Sequence, residues 1–259
     1  MNTYYRRHFF LVICAQIIFG VLALADLLIN GMTMWLWATF VMWFMMYVMG
    51  EGIFLHRYFA HKSFETHSWI ARTFAVFAAL GGFGGPIGYR ATHVGLHHAH
   101  ADQPGDSHSP VVNGWWYAMV SWHLVNHKLP IVICKTLLRD KFYMTLENNI
   151  IKLWWTVFVL FAVIDIRLAL YGMGLAGLMC YVFSSWTNAA GHSVGYRRFE
   201  TSDNSRNIPV WSWICWQGSG ALQNNHHAHP GRFHDSWAWY EFDIGRWIIP
   251  LIATQINQR

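Results

Sequence analysis

The chain has 259 residues, of which 54% are hydrophobic and 12% are charged, and it contains 16 tryptophans. Soluble proteins carry roughly 25% charged residues, so this composition excludes an ordinary soluble domain and indicates an integral membrane protein. The net charge of +5 comes from basic residues scattered near the ends of apolar segments, which argues against nucleic acid as a partner. The four cysteines lack CxxC spacing, which predicts buried thiols in a reducing setting.

The first two apolar segments predict a pair of membrane-spanning helices. Residues 9–29 follow the basic aromatic sequence YYRR, which is typical of a cytoplasmic membrane boundary. A competing interpretation is a signal peptide, because the sequence ALA at 23–25 resembles a cleavage site. Residues 32–50 follow after a two-residue turn. The two spans therefore form a hairpin that returns the chain to its starting side.

Residues 68–85 are apolar but are not predicted to cross the membrane. The segment contains Arg72 and ends in paired glycines. A full span there would place the histidine-rich motifs before and after it on opposite faces, so we predict an interfacial or partly re-entrant helix. The aromatic run 115–122 is too short and too polar to cross, and it is predicted to lie at the interface.

Residues 150–164 and 168–187 predict a second hairpin. Basic residues before it (Arg139, Lys141) and after it (Arg197, Arg198) place its ends on the side of the N-terminus under the positive-inside rule. The predicted fold is a single-domain, all-α integral membrane protein over residues 1–259. It has four transmembrane helices in two hairpins and a cytoplasmic, histidine-rich helical cap formed by 51–149 and 188–259. Both termini are predicted to be cytoplasmic.

Three histidine motifs lie just outside the predicted spans, and His192 is a further histidine on the same side. The motifs are HRYFAH at 56–61, HVGLHH at 93–98 and QNNHH at 223–227. Pooling neutral imidazoles from distant parts of a chain is a common way to build a metal site. Eight imidazoles are too many for one tetrahedral ion, so two ions are implied. Imidazole suits zinc, copper, nickel and iron alike.

The spacing within each motif predicts how its side chains are placed. In HVGLHH the first two histidines are four residues apart, and in QNNHH the glutamine precedes the histidines by three and four, so each set can share one helical face. In HRYFAH the histidines are five apart, about 140° around an α-helix, so this motif is predicted to span a helix end. The isolated histidines are interpreted as core or surface residues: His8, His67, His123, His127 and His234.

In chain order the sequence contains two spans, HRYFAHKSFETH, HVGLHH with ADQPGDSHSP, two more spans, NAAGHSVGYRR, SRN, QNNHHAHP and WYEFD. This order resembles the membrane fatty acid desaturase family, and its layout is similar to that of the acyl-CoA delta-9 type. The resemblance covers about residues 50–243. It implies two Fe²⁺ ions that, with dioxygen, remove two hydrogens from an acyl chain and leave a cis double bond. The iron ligands that it implies are His56, His61, His93, His97, His98, His192, His226 and His227, together with Gln223 and, through water, Asn188.

Three positions depart from the acyl-CoA pattern. The first two histidines of HVGLHH are separated by three residues instead of the usual two. Gln223 stands where the acyl-CoA type has histidine, and it resembles the glutamine of front-end acyl-lipid desaturases. Arg90 precedes Ala91 and Thr92, without the aspartate that helps hold a coenzyme A headgroup. Arg90 is a predicted substrate-binding residue, and the acyl carrier stays open between coenzyme A, acyl carrier protein and lipid.

Three further residues are predicted to support the ligands. Asp106 and His108 match a family motif in which Ser107 replaces the usual proline. Glu51 has no match in that pattern. Carboxylates near a metal site often orient an imidazole through its second nitrogen. The alternative for Glu51 is an interfacial charge that lipid headgroups solvate.

The predicted function is an oxygen-dependent di-iron desaturase with an apolar tunnel for the fatty acyl chain. No haem, flavin or iron–sulfur segment is recognisable, so the predicted electron source is a ferredoxin or small cytochrome with its reductase. A di-iron lipid hydroxylase or ketolase is the nearest alternative. A haem-binding electron carrier would need facing histidines within the spans, and the predicted spans contain none. A metal transporter is the third alternative, and it would be expected to place polar ligands at mid-membrane depth.

Overall fold

The protein is described by a computed structural model over residues 7–257, and it is an all-α integral membrane fold, as predicted. Its principal helices are α1 (Phe9–Asn30), α2 (Leu36–Ala60), α3 (Ser68–Leu80), α4 (Pro86–Thr92), α5 (Lys141–Ile164), α6 (Ile166–Ala190), α7 (Pro209–Cys215), α8 (Gln223–Ala228) and α9 (Gly245–Ile252). Short helical segments occupy His93–His98, Pro110–Asn113, Trp115–Met119, Ser121–Leu124, Ile131–Cys134, Lys135–Arg139 and Gly218–Ala221. Within the described residues, α1, α2, α5 and α6 are the helices long and apolar enough to cross a membrane.

Close backbone contact joins α1 to α6. A Cβ atom added at Gly20 would lie 2.7 Å from Cβ of Leu178, and one added at Gly174 would lie 2.7 Å from the carbonyl carbon of Phe19. Glycine is therefore required at both positions for the helices to approach this closely. The Thr39 hydroxyl donates a hydrogen bond of 3.0 Å to a backbone carbonyl of α6 and ties α2 to the same helix.

Two of the predicted spans belong to helices that are longer than the spans. Helix α2 runs from Leu36 to Ala60 instead of 32–50, and α5 begins at Lys141 instead of residue 150. The predictions followed hydropathy, whereas these helices continue beyond their apolar stretches into the cap. His56 is only 2% exposed, because protein surrounds it there. The predicted spans contain no histidine, but the complete helix α2 contains His56 beyond the predicted end of its span.

The segment between the first two histidine motifs folds back on itself. Helix α3 has 13 residues, too few to cross a bilayer, and the chain reverses through Gly82 and Gly84 before α4 begins. Both glycines have positive φ angles, +89° and +83°, which other residues rarely adopt. This agrees with the prediction that residues 68–85 do not cross.

The C-terminal segment packs against the end of α2. Strand β1 (Phe64–Glu65) pairs antiparallel with β2 (Gln255–Ile256). The buried guanidinium of Arg57 donates to Asp235 at 2.9 Å and to Asp243 at 2.7 Å. These contacts hold the C-terminal segment against the residues that bear the first histidine motif.

Candidate metal centre

All eight predicted histidine ligands converge into two clusters at the end of the bundle where α2 and α6 finish. Within each cluster one possible ligand atom per residue lies within 4.8 Å of the others. The five-histidine cluster contains His56, His61, His93, His98 and His226. The three-histidine cluster contains His97, His192 and His227. Each is a group of donors that could hold a metal ion.

Helix winding decides which histidines share a cluster. Residues Phe44–Ala60 and His93–His98 have the wider π-helical winding, and the His61 amide donates to the His56 carbonyl at 3.0 Å. Because a π-helix bonds residues five apart, His56 and His61 face the same side. His93 likewise meets His98, with 3.1 Å between their Nε2 atoms. The prediction from α-helical spacing that pairs His93 with His97 was wrong, because those two residues enter different clusters.

Carboxylates lie beside the outer nitrogens of four of these rings, and for His97, His192 and His227 they form a hydrogen bond there. The Nδ1-to-carboxylate distances are 3.1 Å for His97–Asp106, 2.8 Å for His192–Asp102, 2.7 Å for His227–Asp203 and 3.5 Å for His226–Asp235. A carboxylate at Nδ1 fixes the tautomer and leaves the Nε2 lone pair free to bind a metal. Asp106 lies where the sequence predicted a supporting residue. Sequence reasoning missed the other three, although Asp102 belongs to the quoted motif ADQPGDSHSP.

Burial favours the neutral form of these imidazoles. Burial, reinforced by neighbouring histidines, holds the pKa of His93 and His98 well below the ordinary value. Burial also lowers the pKa of His227 to about 3. His97 differs: burial lowers the pKa of that ring, but the carboxylates of Asp106, Asp102 and Asp203 together outweigh burial and raise it above the ordinary value. Neutral imidazole is the form that binds metal.

Two buried polar atoms near the clusters lack a hydrogen-bond partner within the described part of the chain. They are Nε2 of His192 and Oε1 of Gln223. The Gln223 side chain is held in place, since its Cγ lies 2.6 Å from where a Cβ of Gly191 would be. Gln223 and Asn188 line the same cavity as His192. Lone pairs left without donors fit a bound cation, so the residues present are suited to a metal ion.

The other predicted site residues have varied contacts. Arg90 donates to the backbone carbonyls of Phe59 and Ala60, at the end of α2. Glu51 accepts a hydrogen bond from the hydroxyl of Tyr89, whose ring stacks on His93 with 5.4 Å between ring centroids.

His108 stacks on His97 with 4.4 Å between centroids, and its Nδ1 bonds with the Ser107 hydroxyl. None of the five isolated histidines joins a metal-binding group among the residues that the structure describes. All four cysteines are free; Cys134, Cys180 and Cys215 are buried, and Cys14 is partly so.

A cavity leads from the clusters into the helical bundle. It encloses about 1090 Å³, part of which is open to solvent, and it reaches from His97 and His192 to Gln16 on α1. The sequence predicted an apolar tunnel, and the surface of this cavity is mainly apolar. Among the described lining residues, Ile13 is the only aliphatic side chain, and the rest are aromatic, polar or glycine.

The fold and the site together define an integral membrane enzyme whose histidine clusters could bind metal at one end of a helical bundle. A family model described as fatty acid desaturase matches residues 33–250. The chain belongs to the fatty acid desaturase family, and it is an oxidoreductase that acts on paired donors with reduction of dioxygen.

Several characterised proteins are similar along most of their length. A hex-5-enoyl-[acyl-carrier protein] acetylenase of Moorena producens (strain JHB) is 27% identical, over 78% of this chain and 69% of that protein. An sn-2 palmitoyl-lipid 9-desaturase of Nostoc sp. (strain 36) is 29% identical, over 77% and 71%. Delta-9 acyl-lipid desaturase 2 of Arabidopsis thaliana is 29% identical, over 83% and 70%.

The carboxylate on His227 offers a direct test of ligand orientation. In the wild type the Asp203 carboxylate accepts a hydrogen bond from Nδ1 of His227. In Asp203→Asn an amide N–H can point at Nδ1 instead, which favours the tautomer with its proton on Nε2. A proton on Nε2 blocks metal binding at that nitrogen. We expect metal affinity to fall roughly 10- to 100-fold, measured by competition with a chelator. Asp165→Asn, in the turn between α5 and α6, is the matched control. Unchanged affinity in Asp203→Asn would show that the carboxylate does not orient His227.

Proposed function

We propose that the two clusters bind two Fe²⁺ ions and that the enzyme introduces a cis double bond into a fatty acyl chain. The observation that carries this proposal is the convergence of eight imidazoles into two adjacent clusters beside a cavity. Two C–H bonds break and one C=C bond forms, while dioxygen, two external electrons and two protons become two molecules of water. Bound iron would supply the dioxygen activation.

The protein's own residues position and shield the reacting chain. The carboxylates on His97, His192 and His227 fix the ligand rings, so that the inward nitrogens need little reorganisation. The cavity holds the acyl chain beside the clusters in one register, which selects a single pair of methylenes. Gln223 and Asn188 are proposed to complete the three-histidine cluster, Asn188 through water.

The proposed topology has four membrane crossings, with both termini and the metal centre in the cytoplasm. Basic residues flanking α5 and α6 support this orientation. The proposed electron donor is a ferredoxin or small cytochrome with its reductase. A surface depression lined by His98, His227 and Asp203 gives such a donor an approach to both clusters. The acyl carrier is proposed to be a lipid or acyl carrier protein, in line with the relatives above.

Expression in a bacterial host that cannot make unsaturated fatty acids tests the proposed function. The host is supplied with iron, a ferredoxin and its reductase, and a panel of saturated and hydroxylated fatty acids. We expect a new cis double bond in at least one supplied chain, found by mass spectrometry of the lipids, and its loss without dioxygen. A new hydroxyl or keto group instead would assign the enzyme to the hydroxylases or ketolases.

Substitution of Gln223 tests whether its side chain binds metal or only fills space. We expect Gln223→Ala to lose most activity and part of its iron, because an anchored oxygen donor is removed. Gln223→His should retain iron and some turnover, because imidazole restores a donor at that place. Iron is measured by mass spectrometry, with exposed Gln255→Ala as the control. Neighbouring Asn224 is unsuitable as a control, because its amide oxygen accepts from the backbone of Arg198 and Phe199.

Full iron content and rate in Gln223→Ala would contradict a ligand role. The three-histidine cluster would then be completed by water or by another group of the protein.

A further inference from the structure

The cavity beside the histidine clusters presents fixed polar atoms where an acyl chain would lie. The inference drawn from them rests on the proposed function, because it concerns the substrate of that same site. Aromatic faces and glycine backbones in the lining can contact methylene groups. Buried polar atoms need a hydrogen-bond partner, and an unsubstituted hydrocarbon chain has none to offer.

Gln16 on α1 provides the main polar atom. Its side chain is fully buried, and its Nε2 donates to the Leu80 carbonyl at 3.0 Å. Gln16 lines the cavity, and its buried Oε1 has no hydrogen-bond partner among the described residues. Because Nε2 is committed to Leu80, turning the amide over would bring two carbonyl oxygens together. Gln16 therefore presents a hydrogen-bond acceptor.

Glycine contacts fix this amide in place. A Cβ at Gly82 would lie 2.7 Å from Oε1 of Gln16, and a Cβ at Gly177 would lie 2.6 Å from its Cδ. The side chain thus fits between two backbone segments that no larger residue could occupy without moving it. A rigid acceptor selects a ligand group at one position along a bound chain.

Ser219 supplies a second unpartnered polar atom. Its side chain is 1% exposed, and its Oγ has no hydrogen-bond partner in the part of the chain that the structure describes. It lines the same cavity. The adjacent Gly220 brings its backbone close to the hydroxyls of Tyr47 and Thr187, 3.3 and 3.4 Å from where its Cβ would be. The lining therefore has polar groups at more than one place.

We propose that the cavity binds a hydroxylated acyl chain, with a substrate hydroxyl that donates to Oε1 of Gln16. A neutral acceptor whose own amide N–H is directed to the Leu80 carbonyl selects a hydrogen-bond donor such as an O–H group. The rest of the chain packs on the aromatic side chains and glycines. A site built to hydrogen-bond a hydroxyl discriminates strongly against the analogue without one, because its own polar atoms are then left unpaired.

The test compares the binding of stearic acid with that of positional isomers of monohydroxystearic acid. Each acid displaces a fluorescent fatty acid from the purified full-length protein in detergent. We expect at least one isomer to bind about tenfold more tightly than stearic acid, equivalent to about 1.4 kcal/mol. In Gln16→Met this preference should fall to within roughly threefold, while stearic acid binds as in the wild type.

Asn149→Met is the matched control, since Asn149 is also a carboxamide that donates to a backbone carbonyl, on an exposed face of α5. Ser219→Ala removes a single oxygen and is a second variant should Gln16→Met not fold. We expect it to reduce the preference for at least one isomer. Full preference in both folded variants would overturn the assignment of these residues.

Equal affinity of the wild type for stearic acid and every isomer would overturn the proposal, and it is the expected result if the polar atoms only bind water. The binding assay needs neither dioxygen nor electrons, so a failure of the desaturation assay does not affect it. Conversely, an enzyme that desaturates stearoyl chains and shows no preference for hydroxylated acids would refute this inference alone.

Discussion

His226→Ala and His227→Ala are each expected to abolish turnover, yet to deplete different metal ions. The two residues are adjacent on α8, but His226 belongs to the five-histidine cluster and His227 to the three-histidine cluster. Their rings contact different carboxylates: His226 contacts Asp235, and His227 contacts Asp203. Each variant should retain about one iron per chain, because the other cluster keeps all of its imidazoles. Membrane insertion should be normal, because α8 lies outside the long apolar helices.

Iron content and Mössbauer spectra of the two variants check this expectation. The retained iron should give a different spectrum in each variant, because its ligand set differs. His67→Ala, at an exposed histidine outside both clusters, should keep both irons and full activity. Identical loss of both irons in the two variants would show that the clusters do not bind metal independently. Retained activity in either variant would remove that residue from the ligands.

Arg57→Met is expected to have the largest effect on stability. The Arg57 guanidinium is buried between Asp235 and Asp243, whose side chains are 1% and 0% exposed. Burial raises the pKa of both carboxyl groups, and Arg57 counteracts this by favouring their charged forms. Removing one member of a buried ionic network leaves uncompensated charge and costs about 3–5 kcal/mol. Asp235 also contacts Nδ1 of His226, so iron should be lost as well.

Thermal unfolding in detergent measures this effect. We expect the midpoint for Arg57→Met to fall by roughly 10 °C. Arg72→Met is the matched control, because Arg72 pairs with Asp140 at the surface, where such a pair contributes about 0–1 kcal/mol. A similar shift in both variants would show that the buried ion pairs of Arg57 stabilise the protein no more than the surface pair of Arg72 does.

Sequence reasoning succeeded where the signal is local. The apolar stretches predicted four long helices, and the histidine motifs predicted which imidazoles converge. Both patterns depend on residue types close together in the chain. The span boundaries were less predictable, because Glu51 and His56 lie on α2 in a protein-lined environment that hydropathy cannot distinguish from an aqueous one.

The sequence by itself determined that this is a membrane protein with pooled histidines that could bind metal, because composition and motif spacing are properties of the chain. Only the tertiary structure decided how the ligands divide, because π-helical winding joins His93 to His98 and separates it from His97. The carboxylates on His192 and His227 come from segments that meet only on folding. The placement of the polar Gln16 side chain in this mainly apolar lining likewise depends on contacts between α1 and distant glycines, which no local pattern records.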